Sequence, residues 1–518
     1  MILLKKGKYA LPLIFVILLG IQIMGCEDHE PDYFINVKVN PYDISPLTAV
    51  LEITSKDSCA VSFKVLGESP IEQSFSEFSG TFGIPVVGLY PGRENKVALT
   101  LKYKDHAVND TVKITTTNIP NLFPTIKIDK IDRSNMEPGL HACDIHYANH
   151  GKFRSIPMIF DDQGIVRWYM DLSFAGKMVS PFQRLKDGTI LMVDRFNIYE
   201  FDMLGRALRK TTINNNYGMH HDVVELPNGD LLICVGKRDG YINVDGEEVL
   251  SDSDYIIHFD RKTSRIAKEW DMAKHLDVRR NDLNFLRKGD WLHMNGLFFN
   301  PKDSTIVVSG KNQGIVEITW NDELNWILTR KKGWNKSGRN NDGPSLMPYL
   351  LTAIDKNGKA YPRDVQEGNK SAPDFDFPWG QHAPEILRNG NLLVFDNGAR
   401  RETGEEKEYS RAVEYQIDQD KKTVGQVWQY GKERGDDFFS LIVGDVDYLP
   451  QTKNILVTSG YINPETEYFS GKIVEVDYQT GMEIFEATLY YKTLNGNKTG
   501  AWGESDILYR SERMDLKY

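Results

Sequence analysis

Residues 221–235 read HDVVELPNGDLLICV: an alternating run, a Pro-Asn-Gly corner, and an apolar run back. Alternation at period two followed by such a corner is the signature of a tight β-hairpin. The phrase returns as HAPEILRNGNLLVFD at 382–396 and, in variant form, as WLHMNGLFFNPKDSTIVVSG at 291–310. Weaker counterparts are SPFQRLKDGTILMVD at 180–194 and GDVDYLPQTKNILVTSG at 444–460. Each unit continues into a strand that ends in an acidic turn, as in IYEFDMLG, YIIHFDRKT, AVEYQIDQD and IVEVDYQTG. An outer strand such as Ala267-Lys268-Glu269-Trp270 then closes it. Four short strands repeated at this length are propeller blades. A sixth blade is expected from residues 139–171, closed by a strand near Asp506 to Met514, since pairing the two ends removes an exposed sheet edge. The fold class is therefore all-β, with a six-bladed β-propeller over 125–518.

Upstream, residues 33–120 hold short alternating strands (YFINVKVNP, TAVLEITS, CAVSFKVLG, NKVALTLKYKD, DTVKITTTN) and a Tyr90-Pro91-Gly92 corner. That spacing predicts a small immunoglobulin-like β-sandwich, joined to the propeller through a Thr- and Pro-rich linker at 115–124. Residues 1–25 read as a signal peptide: Lys5, Lys6 and Lys8 precede a short apolar run. It ends in Ile23-Met24-Gly25-Cys26, which resembles the lipobox of bacterial lipoproteins. Cys26 is then the lipidated residue, 26–32 a tether, and the protein a cell-envelope lipoprotein, periplasmic or outer-membrane anchored. The other cysteines, Cys59, Cys143 and Cys234, are widely spaced and odd in number. That pattern is neither a disulfide framework nor a zinc signature, and Cys59 and Cys234 sit in apolar runs that suit core packing. The chain has 518 residues, 41% hydrophobic and 26% charged, with a formal net charge of −11. Such a balance argues against a nucleic-acid or anionic-membrane surface.

In a radial repeat, equivalent positions surround one axis. Counted back from the hairpin turn, His221 and His382 fill the same slot. Asn295 fills it in a third unit with His293 two residues before, while Ser180 and Gly444 hold it elsewhere. The strand after Asn295 leads into Ser309-Gly310-Lys311-Asn312-Gln313, and a hairpin returns Lys311 toward His293. Three histidines, an amide and an ammonium at one end of a channel make a candidate centre. Neutral imidazole serves as nucleophile, base or metal ligand, and three histidines could hold zinc with an open position. Asn295 and Lys311 favour an anion over a metal cation. Three readings remain: a transferase of anionic groups, a metal-dependent propeller lyase or hydrolase, and a non-catalytic binding propeller. The segment from Trp334 to Trp379 is a rim, a lid or a plain surface excursion.

HHD with PNGDLL, DWLHMNG, SGKNQGIVEI, WGQHAPEIL and a terminal LYRSER, in that order, resemble the bacterial arylsulfate sulfotransferases. The ordered set spans nearly the whole chain. The resemblance implies a six-bladed propeller and ping-pong transfer of a sulfuryl group from an aryl sulfate donor to a phenolic acceptor, with no cofactor and no metal. It implies that His382 takes up the sulfuryl group, and that His221, His293 and Asn295 hold the sulfate and leaving oxygens. Lys311 stands where better-known members carry arginine and lacks that residue's two-pronged fork. Some relatives pair cysteines near the sulfated histidine, which this chain cannot do because none follows Cys234. His382, His221 and His293 are thus the expected catalytic residues, Asn295 and Lys311 the expected substrate-binding ones. A homodimer is among the assemblies expected.

Overall fold

The computed structural model describes residues 33–149, 152–175, 178–252, 254–280, 287–401, 403, 408–462, 469–492 and 505–518. The expected signal peptide and Cys26 lie outside these residues. Among the described residues no helix is long and apolar enough to cross a membrane.

The N-terminal unit is a five-stranded antiparallel assembly built on two long strands, Ala49–Val65 and Ile71–Val86. The first half of Ala49–Val65 pairs with Tyr33–Val39, and its second half pairs with Glu94–Lys102. One chain thereby serves two layers around a core that includes Leu51, Ile53, Val61, Phe63 and Leu99. Alternation is what buries them: Ala49–Val65 shows every second residue inward over most of its length. The unit is fastened to the larger domain by Arg167, whose guanidinium is wholly buried. It donates to the carbonyls of Gly88 and Ser69 and pairs with Asp161 at 2.9 Å. A buried charge of this kind is tolerated only where each donor finds an acceptor.

Among the described residues six propeller-like sheets follow, three of four strands and three of five, antiparallel except for one short parallel pairing. The first takes its innermost strand from the far end of the chain: Ile507–Met514 pairs with Leu140–Asn149, as the closing argument requires. The domain has a second stitch. Thr125–Ile131 lies along Glu483–Tyr490 as a fifth, outermost strand of the last blade, so the residues entering the domain also cover a sheet edge. Two other additions lie at the rim. Tyr241–Val244 and Glu247–Leu250 form a separate hairpin. Thr352–Ala353, inside the 334–379 excursion, runs parallel to Thr423–Tyr430 and covers that blade's outer edge. Cys59, Cys143 and Cys234 are free and buried; all three pack in the core.

The innermost strands carry one recurring irregularity. Pairing slips between Met219 and Val223, between Met294 and Gly296, and between His382 and Glu385. At or beside these bulges His221, His293 and Ala383 adopt positive φ of 52°, 50° and 49°. Left-handed backbone at a non-glycine costs on the order of 1 kcal/mol, and bulges re-aim side chains. The inner strands also approach closely. A Cβ on Gly296 would come within 2.8 Å of Pro384 Cδ, so only glycine lets Met294–Asn300 and His382–Ile386 lie side by side here.

Candidate active site

His382 opens its strand and is 5% exposed. Its Nδ1 lies 2.7 Å from Asn397 Oδ1. The Asn397 amide cannot be turned over, because its Nδ2 donates to the carbonyls of Ser440 and Val443 at 2.8 Å each. Oδ1 therefore faces His382 as an acceptor, and Nδ1 must carry the proton. The lone pair is left on Nε2. Burial, with a smaller push from the Lys311 charge, lowers the His382 pKa to about 3. The ring is thus a neutral imidazole at ordinary pH.

His293 is held differently. Its Nδ1 sits 2.9 and 3.0 Å from the two oxygens of Asp290, an arrangement that orients the ring and stabilises an imidazolium. The His221 ring meets the His293 ring edge to face, with centroids 4.9 Å apart. Behind it, His220 Nδ1 is 3.0 Å from His221 Nδ1, so one of the pair donates to the other. Burial and the neighbouring His293 push both of their pKa values down, that of His220 to about 3. The Tyr509 ring lies 6.4 Å from His221 and 6.4 Å from His382, a phenol standing between the two imidazoles.

Lys311 does return to this end: its backbone N–H donates to His293 O at 3.1 Å. No hydrogen bond from its ammonium is found among the described residues, and burial lowers its pKa while Asp290 opposes the shift. Asn295, 1% exposed, lies beside His382 and has one of its side-chain groups committed. One of its N–H groups goes to Gln381 O at 2.9 Å, and its Oδ1 is buried without a partner. It holds the residue preceding His382 in place. Ser309 Oγ supports the same carbonyl at 3.0 Å. Thus His221, His293, His382, Lys311 and Asn295 all gather at one end of the channel.

Of the other two slots of the repeat, Ser180 lines the cavity beside His221 and His293 and Gly444 brings no side chain. Ser180 Oγ is spent on Asp144 at 2.8 Å, and Phe395 fills the space a side chain at 444 would need. The slots are also not strictly equivalent. By count from the turn His221 matches His382, yet the left-handed residue is His221 in one blade and Ala383 in the other. The bulges differ in size, which shifts the phase beyond them. Of the aromatic residues nearby, Trp291 and Trp334 are core residues with their indole N–H groups satisfied by Ser251 and Arg330. Tyr217 lines the cavity, and Trp379 lies beneath Arg330 at 4.0 Å.

Beneath His382 sits a fully buried ion cluster. Asp396 accepts from Arg401 at 2.7 Å and Arg411 at 2.9 Å, and its other oxygen takes the Trp379 backbone N–H at 2.8 Å. Arg401 also reaches Asp376 at 2.9 Å. This cluster fixes the end of the 334–379 excursion where it enters the His382 strand. On the other side, Asp222 links Arg510 at 3.1 Å to the Leu297 N–H at 2.8 Å, tying three inner strands together. Among the described residues, no group of three or more His, Cys, Asp or Glu side chains is placed to hold a metal ion. What the geometry offers is one neutral imidazole with a free lone pair, a carboxylate-backed imidazole, and an ammonium. That set suits transfer of an anionic group.

The family model described as arylsulfotransferase (ASST) matches residues 129–500, and that described as arylsulfotransferase Ig-like domain matches residues 36–117. The chain is 29% identical to the arylsulfate sulfotransferase AssT of Escherichia coli O6:H1 and 30% identical to that of Lelliottia amnigena. In each case the match spans 86% of this chain and 88% of the relative. A solved Bacteroides caccae protein of unknown function aligns over 72% of this chain and 98% of its own. Its identity is 13% and its TM-score 0.40.

Proposed function

The chain belongs to the arylsulfotransferase family, and from that we propose that it carries the sulfuryl group on His382 in a ping-pong cycle. The observation that supports this most is the Asn397 contact, which leaves the His382 lone pair on Nε2. In the first half-reaction that lone pair attacks the donor sulfur, the bond from sulfur to the aryl oxygen breaks, and the phenolate leaves with the electron pair. In the second, the oxygen of an acceptor phenol attacks the sulfohistidine, the N–S bond breaks, and the pair returns to Nε2. His293 moves the proton: it takes one from the acceptor phenol and gives one to the departing phenolate, with Asp290 stabilising the ring while it is charged. Lys311 lies where charge collects on the nonbridging oxygens, and Asn295 has a second N–H for the same purpose. The transition state of sulfuryl transfer is taken as loose, like that of phosphoryl transfer, so alignment and fixed charge are the protein's contribution. One such donor is worth about 3 kcal/mol of barrier.

The same reading places the enzyme in the cell envelope, tethered by lipid on Cys26. Steady turnover of a chromogenic aryl sulfate should depend on added phenol, with sulfated acceptor formed in step with released phenol. A strong chelator should leave the rate unchanged. Release that ignores the acceptor would point to a hydrolase, and loss of activity on chelation to the metal-dependent alternative.

A further inference from the structure

A cavity of about 660 Å³ is lined in part by His220, His221, Asp290 and His293; His382 is not in its lining, but the His382 ring shares with His221 the neighbouring Tyr509 ring. Its walls include the rings of Phe196 and Tyr217, flat apolar surfaces suited to an aryl group. Its charge is unlike that of the molecule. The chain carries a net −11, yet four basic side chains line this cavity, Arg195, Lys237, Arg238 and Arg287.

Several charges in the cavity wall are already engaged. Asp194 accepts from the N–H groups of Phe196 and Asn197 and from Tyr199 Oη. Asp252 pairs with Arg287 at 3.1 Å, and Lys237 with Glu269 at 3.0 Å. Asp290 is bound to His293. Arg195 and Arg238 are exposed and have no acidic partner among the described residues. Arg195 lies close to the strand that carries the histidines. A Cβ at Gly218 would sit 3.0 Å from its Nε, and its carbonyl accepts the Met219 N–H at 2.8 Å. Gly218 precedes His221 by three residues, just ahead of the bulge at Met219/Val223.

We propose that the aryl groups this enzyme handles carry a second anion, a carboxylate or sulfonate, which Arg195 and Arg238 hold at the cavity wall. The inference rests on the sulfotransferase reading. In a ping-pong cycle the departing and incoming phenols use one cavity, so it applies to donor and acceptor alike. Guanidinium matches either anion with paired, charge-assisted hydrogen bonds.

The test compares two acceptors of the same shape, 3-(4-hydroxyphenyl)propanoate and its neutral amide, with one chromogenic donor. The native protein should favour the carboxylate in kcat/KM by about tenfold, the effect of one exposed charge-assisted contact. The preference should shrink in high salt and fall to about one in the double variant Arg195→Gln with Arg238→Gln. A native ratio at or below one, or a preference that survives both substitutions, overturns the inference. Absence of sulfated product from either acceptor would instead remove the transferase reading beneath it.

Discussion

His382→Ala should abolish sulfuryl transfer, lowering kcat by at least about 10⁴-fold, as loss of a nucleophile does elsewhere, while the protein remains folded. The ring is buried, so its removal leaves a small void and an unpartnered Asn397 Oδ1. Together these cost a few kcal/mol, inside the stability of a domain this size. The melting temperature should drop by several degrees, with a single cooperative transition retained. Turnover within about tenfold of the native rate would exclude His382 as the group that bonds to sulfur.

Asn397→Leu should lower kcat by up to about 10⁴-fold, the loss seen when an imidazole loses the partner that fixes its tautomer. Without an acceptor beside Nδ1, the ring is free to carry its proton on Nε2, where it blocks attack. Nitrogen-15 spectra of labelled histidine should move His382 from the Nδ1–H form toward Nε2–H. A purely structural role would lower the melting temperature, through the lost Ser440 and Val443 contacts, and leave the tautomer alone. Asn397→Asp supplies a separate check. A carboxylate keeps the acceptor and stabilises the imidazolium, so the His382 pKa rises from its native value of about 3. A protonated ring cannot attack. Activity in this variant should fall away as pH drops through the raised value, whereas the native His382 contributes no such decline above about pH 5. Native spectra showing His382 protonated on Nε2 at neutral pH would refute the assignment.

The blades were legible because their turns are written plainly. Pro227-Asn228-Gly229 and Arg388-Asn389-Gly390 mark hairpins, and alternation does the rest. Convergence of His221, His293 and His382 followed from counting back from those turns. The count fails in one respect: the bulges at Met219/Val223 and His382/Glu385 differ in length, and nothing in the local alternation reports an inserted residue. Thr125–Ile131 alternates like any strand, but its partner is more than 350 residues away, beyond the reach of a local pattern. Asn397 left a faint signal. His382 pairs with Phe395, and the residue two further along the same strand direction projects to the same face. Asp290 left less, since an i,i+3 contact outside a helix depends on a loop shape that composition does not specify. Asn295 had the right location and a different first task, because a buried amide beside a bare carbonyl is drawn into satisfying it.

The covalent intermediate gives the most direct test. Native protein mixed with aryl sulfate alone, quenched within one turnover and digested under conditions that spare N–S bonds, should yield the peptide containing His382 heavier by one sulfuryl group on Nε2. An equivalent of phenol should be released in the same burst. A peptide that stays unmodified while phenol is released, or a sulfuryl group found on His221 or His293 instead, would contradict the account.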